Sequence, residues 1–259
     1  MAADPAFTFF DPESGNYLPL PVEVVELSDP VQLRRLDRLE PETTGVLDIQ
    51  DAIHDLLDCH EPEHEAKATF IGIVGSFSSN KSTQLKKLVW DLLQQGLDPQ
   101  YRGARYLPLY IDLRDCKAQR SNVSNALEAC VLQKLAEYWP DLQARRLSEL
   151  VGQPSLRLVF YGIDLLSADD NARVQDLMLR LLRLYPRHQY VLASSEMAMN
   201  WSGFQEHSHL HLLAIQPLRR VKIRHFLENL KRVDALRDVP ENERTAMGER
   251  LLSRIYHSQ

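Results

Sequence analysis

The sequence predicts an α/β fold: three layers, with a parallel sheet of about five strands and a helical C-terminal extension. Three observations predict it. Short apolar runs recur five times between residues 68 and 215. The stretches between them carry apolar residues at i, i+3, i+4 and i+7, the spacing of one helix face. The runs are apolar throughout rather than alternating, as strands covered on both faces are. Strands that alternate with helices of this length imply parallel pairing with helices on either side of the sheet.

The elements follow in order. Residues 1–65 read as an acidic N-terminal extension with one or two helices, near 30–39 and over 47–58, where Leu47, Ile49, Ile53, Leu56 and Leu57 fall near helical spacing. His60–Lys67 is a polar connector. The α/β core is expected over 66–215. Its first strand is ATFIGIV (68–74), followed by a Gly/Ser loop and a helix over 81–95 carrying Leu85, Leu88, Val89, Leu92 and Leu93. Gly96 stands where a C-cap belongs. The second strand is RYLPLYIDL (105–113), with a helix over 122–138 behind it. The third strand and its exit are LRLVFYGID (156–164), then a helix over 170–184 that Pro186 ends. QYVLASS (189–195) and HLHLLAI (209–215) complete the set. Residues 216–259 read as a helical extension, the start of a lid or of a truncated winged helix, with one helix opened by Pro217 and another over 241–256.

Composition bounds the function. The chain has 259 residues, 44 % hydrophobic and 25 % charged, with a net charge of −6. That balance is ordinary for a globular chain and argues against non-specific nucleic-acid binding by the whole molecule. Acids crowd into 11–65 and bases into 214–259. Cys59, Cys116 and Cys130 form no CxxC pair and no disulfide framework, which suits a reducing cytoplasm. No signal peptide is evident, and no apolar run approaches the ~18 residues that span a bilayer.

In a parallel α/β sheet, ligands bind beyond the carboxyl ends of the strands. The loops after residues 74, 113, 164 and 195 should therefore converge. The first is Gly75-Ser76-Phe77-Ser78-Ser79-Asn80-Lys81-Ser82, between a strand and a helix. It matches G-x-x-x-x-G-K-[ST] except that Asn80 replaces the second glycine. The core is thus read as a P-loop NTPase core with a worn phosphate loop. Loop N–H groups and the following helix start would form an anion nest. Lys81 would place a point charge on the β- and γ-phosphates of ATP or ADP, and Ser82 would offer its hydroxyl to Mg²⁺. Asn is the mildest non-glycine choice where a left-handed backbone is needed. Asp164, at the third strand's exit, is the carboxylate available to Mg²⁺ or to the attacking water. Tyr161 and Leu165 stand beside it where further acids would help, so efficient hydrolysis is not expected.

Together, GSFSSNKST (75–83), LPLYIDLRD (107–115), LVFYGIDLL (158–166), YVLASSE (190–196) and LLAIQPLRRVKIRHFLE (212–228) resemble the NACHT-type branch of the STAND signal-transduction NTPases, relatives of AAA+ ATPases. The resemblance runs from about Ala68 to Leu230. It implies that residues from Gly75 to Thr83 bind nucleotide, that Lys81 and Ser82 meet phosphate and Mg²⁺, that Asp164 is the motif acid, and that Pro217 lies on the purine side. It also implies a switch that controls oligomerisation or the binding of a protein partner. The chain departs from the family at Asn80, Tyr161, Leu165 and Glu196, the last standing where the family carries an arginine that senses the γ-phosphate. Two other readings are a nucleotide-free scaffold for protein–protein interaction and an active AAA+-type ATPase acting on DNA or protein assemblies.

Other constellations are weaker. His207, His209 and His211 alternate and would share a strand face; polar side chains facing water are the simpler reading. His60 and His64 lie in the polar connector. Arg219, Arg220, Lys222 and Arg224 suit a solvated helix face more readily than a phosphate contact.

Overall fold

A computed structural model describes residues 21–25, 47–58, 67–75, 81–98, 100, 106–116, 126–138, 140–141, 149, 151–152, 156–195, 198–215 and 240. The unit that holds the sheet runs Val22–Gln216; Met1–Pro21 and Pro217–Gln259 form another. The expected helices near 30–39, after Pro217 and over 241–256 lie outside the described residues.

The strands are β1 (Pro21–Val25), β2 (Leu47–Asp48), β3 (Ala68–Val74), β4 (Leu107–Asp112), β5 (Leu156–Tyr161), β6 (Gln189–Ser194) and β7 (Ser208–Ile215). They form one sheet in the order β2-β1-β7-β3-β6-β5-β4. The five strands from β3 to β7 are mutually parallel, as the sequence predicts. The helices are α1 (Ile49–Asp58), α2 (Lys81–Leu97), α3 (Leu113–Cys116), α4 (Ala126–Tyr138), α5 (Ala168–Leu184) and α6 (Trp201–Gln205).

Alternation along the strands divides the core between two faces. Phe70, Leu158, Phe160, Tyr190, Leu192 and Leu212 pack with Leu127 and Val131 of α4, Met178 and Leu182 of α5, and Trp201 and Phe204 of α6. Ile71, Ile73, Val191 and Leu213 are equally buried but lie outside that cluster. They serve the opposite face, where α1 contacts α2, β3 and β7. All three layers are therefore present.

Several details differ from the sequence expectation. β1 lies in the stretch read as an irregular extension; its residues Val22–Val25 pair antiparallel with Leu212–Ile215 of β7. Its one acid and its leading proline hide the strand, and proline is tolerated there because it is the strand's first residue. The helix at 49–58 is no appendage: Ile49, Ile53 and Leu57 are fully buried. Gln50 Nε2 donates to the Gln84 carbonyl at 3.1 Å, and Gln189 Nε2 to the Leu57 carbonyl at 2.8 Å. The buried Arg157 guanidinium also reaches Asp58, at 3.2 Å. Gly96 does not cap α2, which continues through it to Leu97. The described glycine with positive φ is Gly162, not Gly96.

Cys116 and Cys130, expected as separate thiols, are joined by a disulfide across a separation of 14 residues, with Cα atoms 5.6 Å apart. Spacing could not reveal it, because α3 and α4 bring the pair together only in the fold. The cysteine pattern therefore gives no support to a reducing compartment. Among the described residues, no helix is long and apolar enough to cross a membrane.

Gly72, at the middle of β3, is set by close approach. A Cβ there would stand 2.5 Å from Leu212 Cδ2 and 2.7 Å from the Trp201 ring. Both side chains are buried and have little room to retreat. Gly72→Ala is expected to cost about 1–3 kcal/mol through overpacking. Urea unfolding checks this, and an unchanged midpoint would mean that Trp201 does not sit on the strand.

His188 is 2 % exposed, stacks on Tyr185, and its Nε2 lies 2.8 Å from the Val151 carbonyl. Burial pushes its pKa down to about 4, the hydrogen bond to Val151 opposing this only in part. The unfolded chain takes up that proton near pH 6.5, so between these values it binds more protons than the folded chain. Stability should accordingly fall as pH drops from ~6.5 to ~4, by about 3 kcal/mol from this group. Urea midpoints at a series of pH values test this, with His188→Gln expected to flatten that part of the profile.

Candidate phosphate-binding site

The site is built at the carboxyl ends of β3, β5 and β6. β3 is buried along its whole length and delivers Gly75 at its exit. The Gly75 N–H donates to the Ser194 carbonyl at the end of β6, at 3.2 Å, which extends the ladder one residue past Val74. Lys81 opens α2. Ser76, Phe77, Ser78, Ser79 and Asn80 lie outside the described residues, as do Pro217 and Glu196.

Lys81 is 6 % exposed. Its ammonium donates to the Gly75 carbonyl at 2.9 Å and pairs with Asp164 Oδ2 at 3.5 Å. A charged amine this deeply buried needs such partners, because removing it from water unpaired costs several kcal/mol. Ser82 and Thr83 follow on the first turn of α2, both half-buried.

Asp164 comes from a short 3-10 turn, Ile163–Leu165, entered through Gly162 at φ 91°. That left-handed backbone favours glycine. A Cβ at Gly162 would also stand 2.9 Å from Asp112 Oδ1. The turn swings Asp164 toward β6, where its Oδ1 accepts from the Ser195 N–H at 2.7 Å. The Ser194 hydroxyl also approaches Oδ1, at 3.4 Å. One carboxylate thus joins the β6 exit to the lysine at the head of α2.

The neighbours of Asp164 are not acids, and the structure shows what they do instead. Tyr161 stacks on Tyr110 with ring centroids 6.2 Å apart, and the Arg114 guanidinium lies over the Tyr161 ring at 5.9 Å from its centre. Arg114 also grips Asp112 through its side chain and backbone N–H. Burial pushes the Asp112 carboxyl up, but these hydrogen bonds and the Arg114 charge outweigh it and hold the group below its ordinary value. Leu165 is 42 % exposed and offers no proton acceptor.

Of the sequence-predicted residues, the structure brings Gly75, Lys81 and Asp164 into direct contact and places Ser82 and Thr83 on the adjoining turn. The roles of Ser194 and Ser195 were not foreseen, since a strand-end backbone amide leaves no mark in the residue pattern. The histidines do not gather: His207 meets Arg183, while His209 and His211 lie on β7. Among the described residues, no group of three His, Cys, Asp or Glu side chains could hold a metal ion.

The residues fit a bound phosphate chain in one respect that can be read directly: a buried ammonium lies at a helix start, against the carbonyl that begins the loop. Ser82 and Asp164 are the groups that would hold Mg²⁺. Asp164→Asn would remove the carboxylate charge that pairs with Lys81 while keeping an acceptor for Ser195. It is expected to raise the rate at which an acylating reagent labels Lys81, read by peptide mass spectrometry; an unchanged rate would show that the 3.5 Å pair does not shield the amine.

No protein-family model matches the chain, and no curated protein does. Solved structures similar to it include the Aeropyrum pernix Orc1 protein in complex with DNA, at 13 % identity over 71 % of this chain and 48 % of that one, TM-score 0.46. Domain III of the Thermotoga maritima replication initiation protein DnaA is 14 % identical over 77 % of this chain and 75 % of that one, TM-score 0.43. The Aeropyrum pernix ORC2 protein in its ADP form is 13 % identical over 86 % of this chain and 56 % of that one, TM-score 0.40. The chain spans about half of the Orc1 protein and 31 % of the matched chain in the Drosophila ORC structure bound to DNA and Cdc6.

Proposed function

We propose that this chain is a nucleotide-binding switch module that takes ATP or ADP at the Gly75–Thr83 loop, hydrolyses it weakly or not at all, and uses the bound state to control oligomerisation or a protein partner. The carrying observation is the buried Lys81 ammonium, held between the Gly75 carbonyl and Asp164 at the start of a helix that follows a buried strand. A β- or γ-phosphate entering there would take over the ammonium from Asp164. Ser82 would turn to Mg²⁺, and Pro217 would meet the purine. The order of the five motifs supports a NACHT-like reading of this module.

Weak turnover follows from chemistry. Hydrolysis needs a group that orients water beside the one that holds the metal. Asp164 already serves Lys81 and Ser195, and Leu165 beside it carries no acid. The same losses favour a second reading, a scaffold that has given up nucleotide and binds proteins only. An active AAA+-type ATPase acting on DNA or protein assemblies is the third. The whole-chain charge of −6 does not exclude a nucleic-acid partner, because the bases are concentrated in 214–259. Arg219, Arg220, Lys222 and Arg224 are where a phosphate backbone would be met.

Calorimetry and thermal shift with ATP or ADP, with and without Mg²⁺, test the reading. A ligand that binds only the folded state must stabilise it, by about 2.7 kcal/mol at a hundredfold excess over Kd. Lys81→Ala is expected to weaken binding at least tenfold, or ~1.4 kcal/mol. No heat and no rise in Tm would remove the switch and leave the scaffold. Phosphate release from ATP should not exceed that of Lys81→Ala; release that depends on Lys81 would establish the ATPase instead.

A further inference from the structure

We propose that Asn171 and Gln175 on α5 are positioning residues for the Lys81 site, acting through the segment that leaves β6. The inference deepens the nucleotide-binding reading and is tested partly without nucleotide.

The two side chains stand i, i+4 apart and so share one helix face. Both reach the backbone of the β6 exit. Asn171 Nδ2 donates to the Ala198 carbonyl at 3.0 Å and to the Ile163 carbonyl at 3.4 Å. Gln175 Nε2 donates to the same Ala198 carbonyl at 3.2 Å, and its Oε1 accepts from the Asn200 N–H at 2.9 Å. Gln175 also donates to Asn171 Oδ1, so the pair acts as one bracket.

What the bracket holds is informative. Ile163 directly precedes Asp164, and the Ala198 N–H donates to the Ser195 carbonyl at 3.3 Å. Ser195 in turn gives its N–H to Asp164 Oδ1. Asn171 therefore grips the backbone on both sides of the contact that aims the carboxylate: the turn that carries Asp164, and the segment whose amide orients it. The Ile163 carbonyl also accepts the Leu166 N–H at 3.2 Å within its 3-10 turn. The Ala198 carbonyl, past the strand end, takes donors from both side chains, so the bracket bears chiefly on the β6 exit. A leucine at either position would remove donors while keeping the helix, since Leu is a better helix former than Asn. The expected consequence is a displaced Ser195 amide, a less tightly held Asp164 and a weaker pairing of that carboxylate with the Lys81 ammonium.

The test uses Asn171→Leu and Gln175→Leu in the full chain, each with Tm recorded. The first readout is the acylation rate of Lys81 under native conditions, expected to rise about fivefold in either variant, the size of an ordinary coupling between linked groups. A rate unchanged within twofold in a folded variant would overturn the proposal, because a bracket that merely stabilises would lower Tm without exposing the amine. The second readout is the Kd for ADP. It is expected to change about fivefold in the wild-type background and by less than twofold when Lys81→Ala is already present. Equal changes in both backgrounds would also overturn it. If Lys81 reactivity rises but the wild type binds no ADP, the positioning role stands and the nucleotide reading falls. Should Asn171→Leu fail to fold, Gln175→Leu, which leaves the bond to Ile163 in place, carries both readouts.

Discussion

A buried ammonium constrains this structure more than any other single group. Lys81 is sunk at the head of α2 with 6 % of its surface exposed, and water cannot compensate its charge. Gly75 and Asp164, which both meet it, come from different strand ends: Gly75 from β3 and Asp164 from the turn after β5. Those ends are not adjacent in the sheet, because β6 lies between them. The register Val74↔Ser194 closes the gap, placing the Ser194 carbonyl against the Gly75 amide and the Ser195 amide against Asp164. Neutralising one lysine thus depends on three parallel strands ending at the same level.

That dependence has a functional reading. Asp164 pairs with Lys81, and in the proposed switch an entering phosphate would compete with it for the same ammonium. Such an exchange changes what the β5 turn and the β6 exit hold on to, and a difference in contacts is what a ligand needs in order to shift a conformational equilibrium. The positions beside Asp164 have gone to an aromatic stack at Tyr161 and an exposed side chain at Leu165. Neither contributes a proton acceptor, in keeping with the proposed weak turnover.

Much of the fold was legible because parallel strands buried on both faces leave uninterrupted apolar runs. ATFIGIV marks β3 to the residue, and the third run stops at Tyr161 because Gly162 turns the chain. Helix α5 begins earlier than its apolar stripe, at a Ser167 cap that accepts from the Asp170 N–H at 3.3 Å. β1 was missed because PVEVV, mixed with an acid and opened by proline, carries too weak a pattern, and its partner β7 is almost two hundred residues away in the chain. The Cys116–Cys130 bridge was missed for the same reason, since proximity made by tertiary packing has no local signature. At the site, Lys81 and Asp164 were legible through side-chain chemistry at fixed spacing. The backbone groups of Gly75, Ser194 and Ser195 that connect them were not, since every residue carries an amide and a carbonyl.

The most direct measurement is the ¹⁵N–¹H resonance of the Lys81 ammonium, assigned by its disappearance in Lys81→Arg and followed as ADP is added. A saturable shift is the expected result, and in Asp164→Asn it should start from a different position, because the 3.5 Å pairing with the carboxylate is already gone. A resonance that stays where it was while ADP binds elsewhere, or with no binding at all, would contradict the exchange of Asp164 for phosphate.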